Sequence, residues 1–368
     1  MRVALELEPC CGERSGIGYY TYELARRMTS DDRLDFRGNV YDFLGKEKAA
    51  EKLGEMPMKL QSAKVFPYWL YHRIWNKVPV TYGMMFPKAD VTHFFNYIVP
   101  PRIKGKVLTT IHDLTYVRYP ETMNERGLAF LRSDLKRSVD RCDRIIANSE
   151  FVKGEIMSHF GVDADLIRVI SPDAQIAETT LAPAYLKEKW DLDEGYILFV
   201  GNIEPRKNLM RLIEAYRRLR DEAGIRQKLV LAGGSGWKSE EIRAEAEKTE
   251  GCLMTGYVSA DEKALLYKCA GAMAYVSLYE GFGMPVLEAM NYDVPVVCSN
   301  TASLPEVAGS AARFVRAEDA VSIADGLYEV LTDEALRGKM RALGRENVKR
   351  YSWDLSAKKL KDVYLEFA

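Results

Sequence analysis

Tyr279-Glu-Gly-Phe-Gly-Met-Pro-Val-Leu-Glu-Ala-Met290 comes directly after the apolar run Ala272–Val276, and this succession of strand, glycine turn and helix decides the fold. Pro285 suits the first turn of a helix, where its missing N–H costs nothing. Gly281 and Gly283 precede that turn without side chains, so backbone N–H groups and the positive end of the helix dipole can face outward. Such a terminus is an anion site of the size a diphosphate needs. Glu280 stands before the loop and Glu288 in the first helical turns, so a carboxylate flanks the site on either side. Carboxylates accept hydrogen bonds from paired hydroxyls, which fits a sugar at one and a ribose at the other. The plainer alternative is a glycine turn followed by an ordinary helix with an exposed glutamate.

Working outward, the apolar run Tyr196–Val200 leads into Gly201-Asn-Ile-Glu-Pro-Arg-Lys-Asn-Leu209. Arg206 and Lys207 therefore fall at a strand-to-helix turn, the carboxyl edge where α/β sheets bind ligands. An arginine fork and a compact ammonium can together neutralise a departing diphosphate; the alternative is a solvated basic pair. His112 and Asp113 end the run Val107–Ile111 at the corresponding edge of an earlier sheet. His112 could bond a sugar hydroxyl there, or be a buried histidine paired with Asp113. Ser15-Gly-Ile-Gly18 precedes the amphipathic stretch Tyr19–Met28, with Gly16 in a turn that is either a binding loop or a simple helix start.

Short β-branched runs alternate with amphipathic stretches throughout, the pattern of parallel sheets covered by helices. Strands are expected at Val3–Leu7, Asp35–Tyr41, Val91–Phe95, Val107–Ile111 and Arg144–Ala147, then again at Tyr196–Val200, Leu229–Ala232, Cys252–Thr255, Ala272–Val276 and Val294–Cys298. Between the two series, Ser171–Pro183 is marked by prolines and lacks periodicity, so it reads as a linker. The expected fold is thus α/β with two Rossmann-like domains, residues 1–175 and 176–350, followed by a terminal segment 351–368.

A chain of 368 residues exceeds what one core usually supports, in keeping with two domains. The 52 Lys and Arg against 53 Asp and Glu leave a net charge of −1, which gives no reason to expect nucleic acid as a partner. Six cysteines without a CxxC pair, and only four histidines, argue against a zinc site and suit reduced thiols in the cytoplasm. The N-terminus lacks the apolar region of a signal peptide, and no apolar run reaches the ~18 residues that span a bilayer. Val65-Phe-Pro-Tyr-Trp-Leu-Tyr-His-Arg-Ile-Trp-Asn-Lys77 is rich in aromatics and cations. Its Tyr68–Lys77 part could rest on a membrane interface or pack against the core.

Taken together, SGIGYYTYEL, TTIHDLTYVRYPE, IIANSEF, FVGNIEPRKNL, LVLAGGSGW, YEGFGMPVLEAM and SNTASLPEVAG resemble the retaining glycosyltransferases of family 4, over nearly the whole chain. The resemblance implies the two-domain GT-B architecture, with Glu280 on the donor hexose and Glu288 on the nucleotide ribose. It likewise implies Arg206 and Lys207 on the diphosphate, His112 beside the donor sugar, Gly16 near the phosphates, and the amides of Phe282, Gly283 and Met284 completing the phosphate cradle. Tyr351-Ser-Trp-Asp354 resembles the start of the family's terminal helix, which crosses back to the first domain. Ile170-Ser-Pro-Asp-Ala174 departs from the family's usual Pro-Asn-Gly turn, which touches the hinge and not the donor motifs.

The expectation that follows is a retaining hexosyltransferase needing neither metal nor cofactor beyond its nucleotide-sugar co-substrate. Its donor would be GDP-mannose first and UDP-glucose second, and its acceptor a saccharide or lipid-linked saccharide of a cell-surface polysaccharide. The enzyme is then expected in the cytoplasm, or peripheral at the inner face of the membrane. A sugar-nucleotide epimerase, a phosphorylase and a non-catalytic sugar-nucleotide-binding subunit are the alternatives. A nicotinamide dehydrogenase lacks its GxGxxG fingerprint here.

Overall fold

The computed structural model describes residues 1–12, 16–45, 49–75, 78–174 and 176–368. Seven parallel strands form the first sheet: β1 (Arg2–Glu6), β2 (Asp35–Tyr41), β3 (Lys59–Ala63), β4 (Val91–Phe94), β5 (Lys106–Ile111), β6 (Arg144–Ala147) and β7 (Ile167–Val169). Their order is β3-β2-β1-β4-β5-β6-β7. A second parallel sheet contains β8 (Tyr196–Val200), β9 (Leu229–Ala232), β10 (Cys252–Gly256), β11 (Ala270–Tyr275), β12 (Val296–Ser299) and β13 (Ala312–Val315), ordered β10-β9-β8-β11-β12-β13. Strands such as β8, β9 and β12 are buried along their whole length, as expected where helices cover both faces. The strand order reverses between β1 and β4 and between β8 and β11, which opens a crevice at the carboxyl ends of each sheet.

The chain divides into two compact units. One comprises Met1–Tyr116, Glu125–Pro172 and Ser352–Ala368, the other Val117–Asn124 and Asp173–Tyr351. The sequence reading included 117–124 in its first domain of residues 1–175, whereas in the structure they group with the second unit. Within the second unit, the Tyr119 ring lies 5.9 Å from that of Tyr279, and Lys238 Nζ donates to the Glu121 carbonyl at 2.9 Å. The passage from one unit to the other falls at Pro172–Asp173, inside the expected linker; Gln175 lies outside the described residues.

The helix Trp353–Leu365 belongs to the first unit, with Ser352 capping it by accepting from the Leu355 amide. Its Tyr364 hydroxyl is 2.7 Å from His93 Nδ1, and Thr110 Oγ1 is 2.9 Å from His93 Nε2. Glu366 just beyond pairs with Arg144 and Arg168, each at 2.8 Å. Burial, with a further contribution from His112, lowers the pKa of His93 to about 3. A histidine that is neutral when folded and takes up a proton when unfolded loses the fold stability as pH falls through the ordinary value near 6.5. From pH 6.5 to 5 the expected loss is about 2 kcal/mol. The melting temperature should drop over that interval, and His93→Gln should flatten the drop. An equal slope in wild type and variant would show that His93 does not govern it.

The aromatic stretch folds as the helix Tyr68–Ile74. Most of its rings turn inward: Tyr71 and Trp75 are buried, and His72 lies 4.0 Å from Trp75 and 5.2 Å from Phe130, centroid to centroid. Trp69, 65% exposed, and Arg73 one turn later face solvent; Lys77 lies outside the described residues. Among the described residues of Tyr68–Lys77, Trp69 and Arg73 are the exposed ones. No helix among the described residues is long and apolar enough to cross a bilayer.

Candidate functional site

In the second unit the two strands flanking the crevice deliver the charged side chains. β8 leads to the short turn Pro205–Lys207, and β11 leads to Glu280 and the helix Met284–Asn291. Glu280 Oε1 accepts from Lys207 Nζ at 2.6 Å, and Oε2 accepts from Arg206 Nη1 at 3.0 Å. The same Nη1 donates to the Tyr279 carbonyl at 2.7 Å, and Nη2 donates to Glu204 Oε1 at 2.7 Å. Lys207 Nζ also donates to the Tyr275 hydroxyl at 3.1 Å.

Glu280 and Lys207 are both buried, so neither an exposed glutamate nor a solvated basic pair describes this cluster. Burial alone would raise the Glu280 pKa, but the Lys207 ammonium and the Arg206 guanidinium outweigh it and hold the carboxyl at about 2. Burial lowers the Lys207 pKa, which Glu280 partly restores. Ion pairs this far from water attract more strongly but also cost more to desolvate, and losing one partner leaves the other in a costly place.

Behind the loop, Ser303 Oγ is 2.8 Å from the carbonyls of both Glu280 and Phe282. It fixes the path of the three residues before Gly283. Gly283 caps the helix with φ 106°, a conformation side chains resist, and a Cβ there would meet Leu304 Cδ2 at 2.7 Å. The amides of Phe282, Gly283 and Met284 therefore sit at a helix N-terminus whose geometry depends on glycine.

Glu288 is held apart from Glu280, in a network of its own. Its carboxylate accepts from Lys263 Nζ at 2.8 Å and from the Tyr267 hydroxyl at 2.9 Å, and it is buried. Neither Lys263 nor Tyr267, nor Glu204, Tyr275 or Ser303, stands out in the sequence. Each lies on a neighbouring element, and no local pattern announces a partner brought close only by the sheet.

In the first unit His112 follows β5 and is buried. Its Nε2 lies 2.7 Å from the Phe95 carbonyl, which can only accept, so Nε2 carries the proton. With its pKa lowered by burial, the ring is neutral and Nδ1 is a bare acceptor. Asp113 is not its hydrogen-bond partner as the sequence alternative had it; the Asp113 carboxylate instead accepts from the Thr115 amide at 2.9 Å. The helix Gly16–Ala25 begins at Gly16, three residues earlier than the expected amphipathic stretch. It presents Tyr20 edge-on to His112 at 5.2 Å. Ser15 lies outside the described residues. Asn148 Nδ2 donates to the His112 carbonyl at 2.9 Å, while Asn148 Oδ1 and Thr115 Oγ1 are buried without a partner.

The profile of "Glycosyltransferase Family 4" matches residues 14–172, and that of "Glycosyl transferases group 1" matches residues 186–347. The chain is also 30% identical to the Escherichia coli O-antigen chain mannosyltransferase B, over 96% of this chain and 97% of that protein. The chain belongs to glycosyltransferase family 4. The Salmonella typhimurium O-antigen chain mannosyltransferase RfbU is 27% identical over 69% of this glycosyltransferase and 66% of its own length. The fold matches sucrose-phosphate synthase from Thermosynechococcus elongatus (TM-score 0.74, 18% identity, 100% and 98% of the two chains) and Anabaena HepE in complex with UDP and glucose (TM-score 0.74, 15% identity, 100% of both). The two parallel-sheet units are those of the GT-B glycosyltransferases.

Proposed function

We propose that this enzyme is a retaining mannosyltransferase that moves mannose from GDP-mannose to a saccharide or lipid-linked saccharide during assembly of a surface polysaccharide. The observation that carries the reading is the buried cluster of Arg206, Lys207 and Glu280 beside the Gly283 helix start. Two cations and a row of backbone amides suit a diphosphate, and a carboxylate between them suits a sugar hydroxyl. The name of the full-length E. coli relative supports mannose.

In this mechanism the diphosphate leaves toward Arg206, Lys207 and the amides of Phe282, Gly283 and Met284, so the charge that develops meets fixed donors. The departing phosphate takes the acceptor's proton on the same face, which retains configuration with no protein nucleophile and no metal. Glu280 orients the hexose, Glu288 takes the ribose, Gly16 lies by the phosphates, and His112 accepts a hydrogen bond from a donor-sugar hydroxyl through Nδ1.

A thermal-shift comparison of GDP, UDP, ADP and dTDP tests the donor. At a ligand concentration of 100 times Kd, binding stabilises by about 2.7 kcal/mol, and GDP should raise the melting temperature most. A response to UDP alone would replace mannose with a glucose-type donor. Silence from all four would favour a non-catalytic role.

A lipid-linked acceptor places the enzyme at the cytoplasmic face of the membrane, with Trp69 and Arg73 as its contact. Each basic residue near an anionic surface contributes about 1 kcal/mol. Arg73→Glu with Lys77→Glu should therefore weaken sedimentation with anionic vesicles by about tenfold or more. Binding unchanged by the pair would rule that contact out.

A further inference from the structure

Arg206 and Lys207 face two carboxylates, and only one of the two belongs to the hexose site. Glu204 touches neither of the groups assigned to sugar or ribose. Its Oε1 accepts from Arg206 Nη2 at 2.7 Å, and its own carbonyl accepts from the Lys207 amide at 3.0 Å, so it starts the turn that carries both cations. The side chain is 19% exposed beside an Arg206 that is 16% exposed, and the two form an ion pair. Its neighbour Ile203 is pinned to the β9 side of the sheet through its amide to the Gly234 carbonyl and its carbonyl to the Gly236 amide, both at 3.0 Å. The backbone that carries the carboxylate is thus anchored on both sides of Glu204.

The chemistry of the reaction gives such a group a task. A sugar nucleotide reaches the site with about two negative charges on its diphosphate, and the nucleoside diphosphate remains with about one more. Two cations and a helix N-terminus, once Glu280 is engaged with the hexose, would hold the more highly charged product more tightly than the substrate unless a second carboxylate offset them. Product release, rather than chemistry, limits turnover in many enzymes.

The geometry points to Glu204 as a positioning residue that acts through Arg206 in two separable ways. Its hydrogen bond aims the guanidinium fork, and its charge lowers the local potential so that the nucleoside diphosphate product leaves. The inference rests on the reading of this cluster as the diphosphate site. It predicts opposite effects for two substitutions, which a purely structural role does not. Glu204→Gln keeps an acceptor for Nη2 and removes the charge. Glu204→Ala removes both.

The test is calorimetric titration of wild type, E204Q and E204A with GDP and with UDP, together with steady-state turnover in buffers of increasing viscosity. E204Q should bind the nucleotide that wild type binds about 3- to 10-fold more tightly, a change of up to about 1.4 kcal/mol. It should also turn over more slowly, with a stronger viscosity dependence as release becomes limiting. E204A should show a raised KM for the donor, because the fork is no longer aimed. Equal or weaker nucleotide binding by E204Q, with wild type binding normally, overturns the role of Glu204 alone. Wild type that binds neither nucleotide overturns the diphosphate site itself and this role with it.

Discussion

A Glu280→Gln variant is expected to lose sugar transfer by about 10²–10³-fold, the usual scale for removing one charged contact to the reacting group. Nucleoside diphosphate affinity should hold or improve. The carboxylate engages Lys207 at 2.6 Å and Arg206 at 3.0 Å, so a diphosphate arriving at the same two cations must share them with it. Glutamine is nearly isosteric and keeps one acceptor, which spares the packing around Phe282 and Ser303. What it lacks is the second acceptor and the charge with which Glu280 would grip a hexose hydroxyl. Initial rates with the donor, beside calorimetry with the diphosphate, separate the two effects. Near-normal rates would remove Glu280 from the reacting centre.

Lys207→Met should have the second largest effect and damage fold and function together. The ammonium is buried with the Glu280 carboxylate, the Tyr275 hydroxyl and the face of the Tyr275 ring, its Nζ 5.3 Å from the ring centroid. Removing one member of a buried pair costs roughly 3–5 kcal/mol when nothing else compensates. Arg206 still neutralises Glu280, so the loss should be smaller, about 1–3 kcal/mol, or a melting temperature lower by several degrees. Transfer should fall about 10²-fold, and added nucleotide should no longer raise the melting temperature. Lys207→Arg is not a safe substitute, because a planar fork does not fill the space of a compact ammonium. A Lys207→Met enzyme with ordinary stability and a full nucleotide response would contradict this account.

Much of the fold can be read in the sequence, and what escapes reading has a common cause. The central strands are apolar runs that need no context, and they appear in both sheets within a residue or two of expectation. β3, β7 and β13 are absent from the reading, and all three are edge strands. Lys59-Leu-Gln-Ser-Ala63 shows why: only its last residue is buried, so it carries no apolar signal and is a strand because β2 offers it a ladder. The attachment of Val117–Asn124 to the second unit is similarly invisible, since it depends on where Tyr279 and Lys238 happen to lie.

At the site, residue types and the loops bearing them are legible, whereas partners are not. Glycine turns after strands mark where Glu280, Arg206 and Lys207 must emerge. That Glu280 bridges both cations, that Glu288 keeps company with Lys263 and Tyr267, and that His112 spends its proton on Phe95 are matters of how neighbouring strands and helices pack. Sequence spacing has no access to them.

The terminal helix has a consequence for how the molecule is made. A ribosome delivers the seven strands of the first unit well before the segment 352–368 that belongs with them, and Asp173–Tyr351 of the second unit is synthesised in between. Until that helix arrives, His93 lacks the hydroxyl of Tyr364, Arg144 and Arg168 lack Glu366, and the apolar surface that Trp353, Leu360 and Val363 will cover stays open. The nascent chain thus carries an unfinished first half through some 180 further residues of translation, a natural point of engagement for a chaperone. Its second half, by contrast, can mature as soon as Tyr351 has emerged.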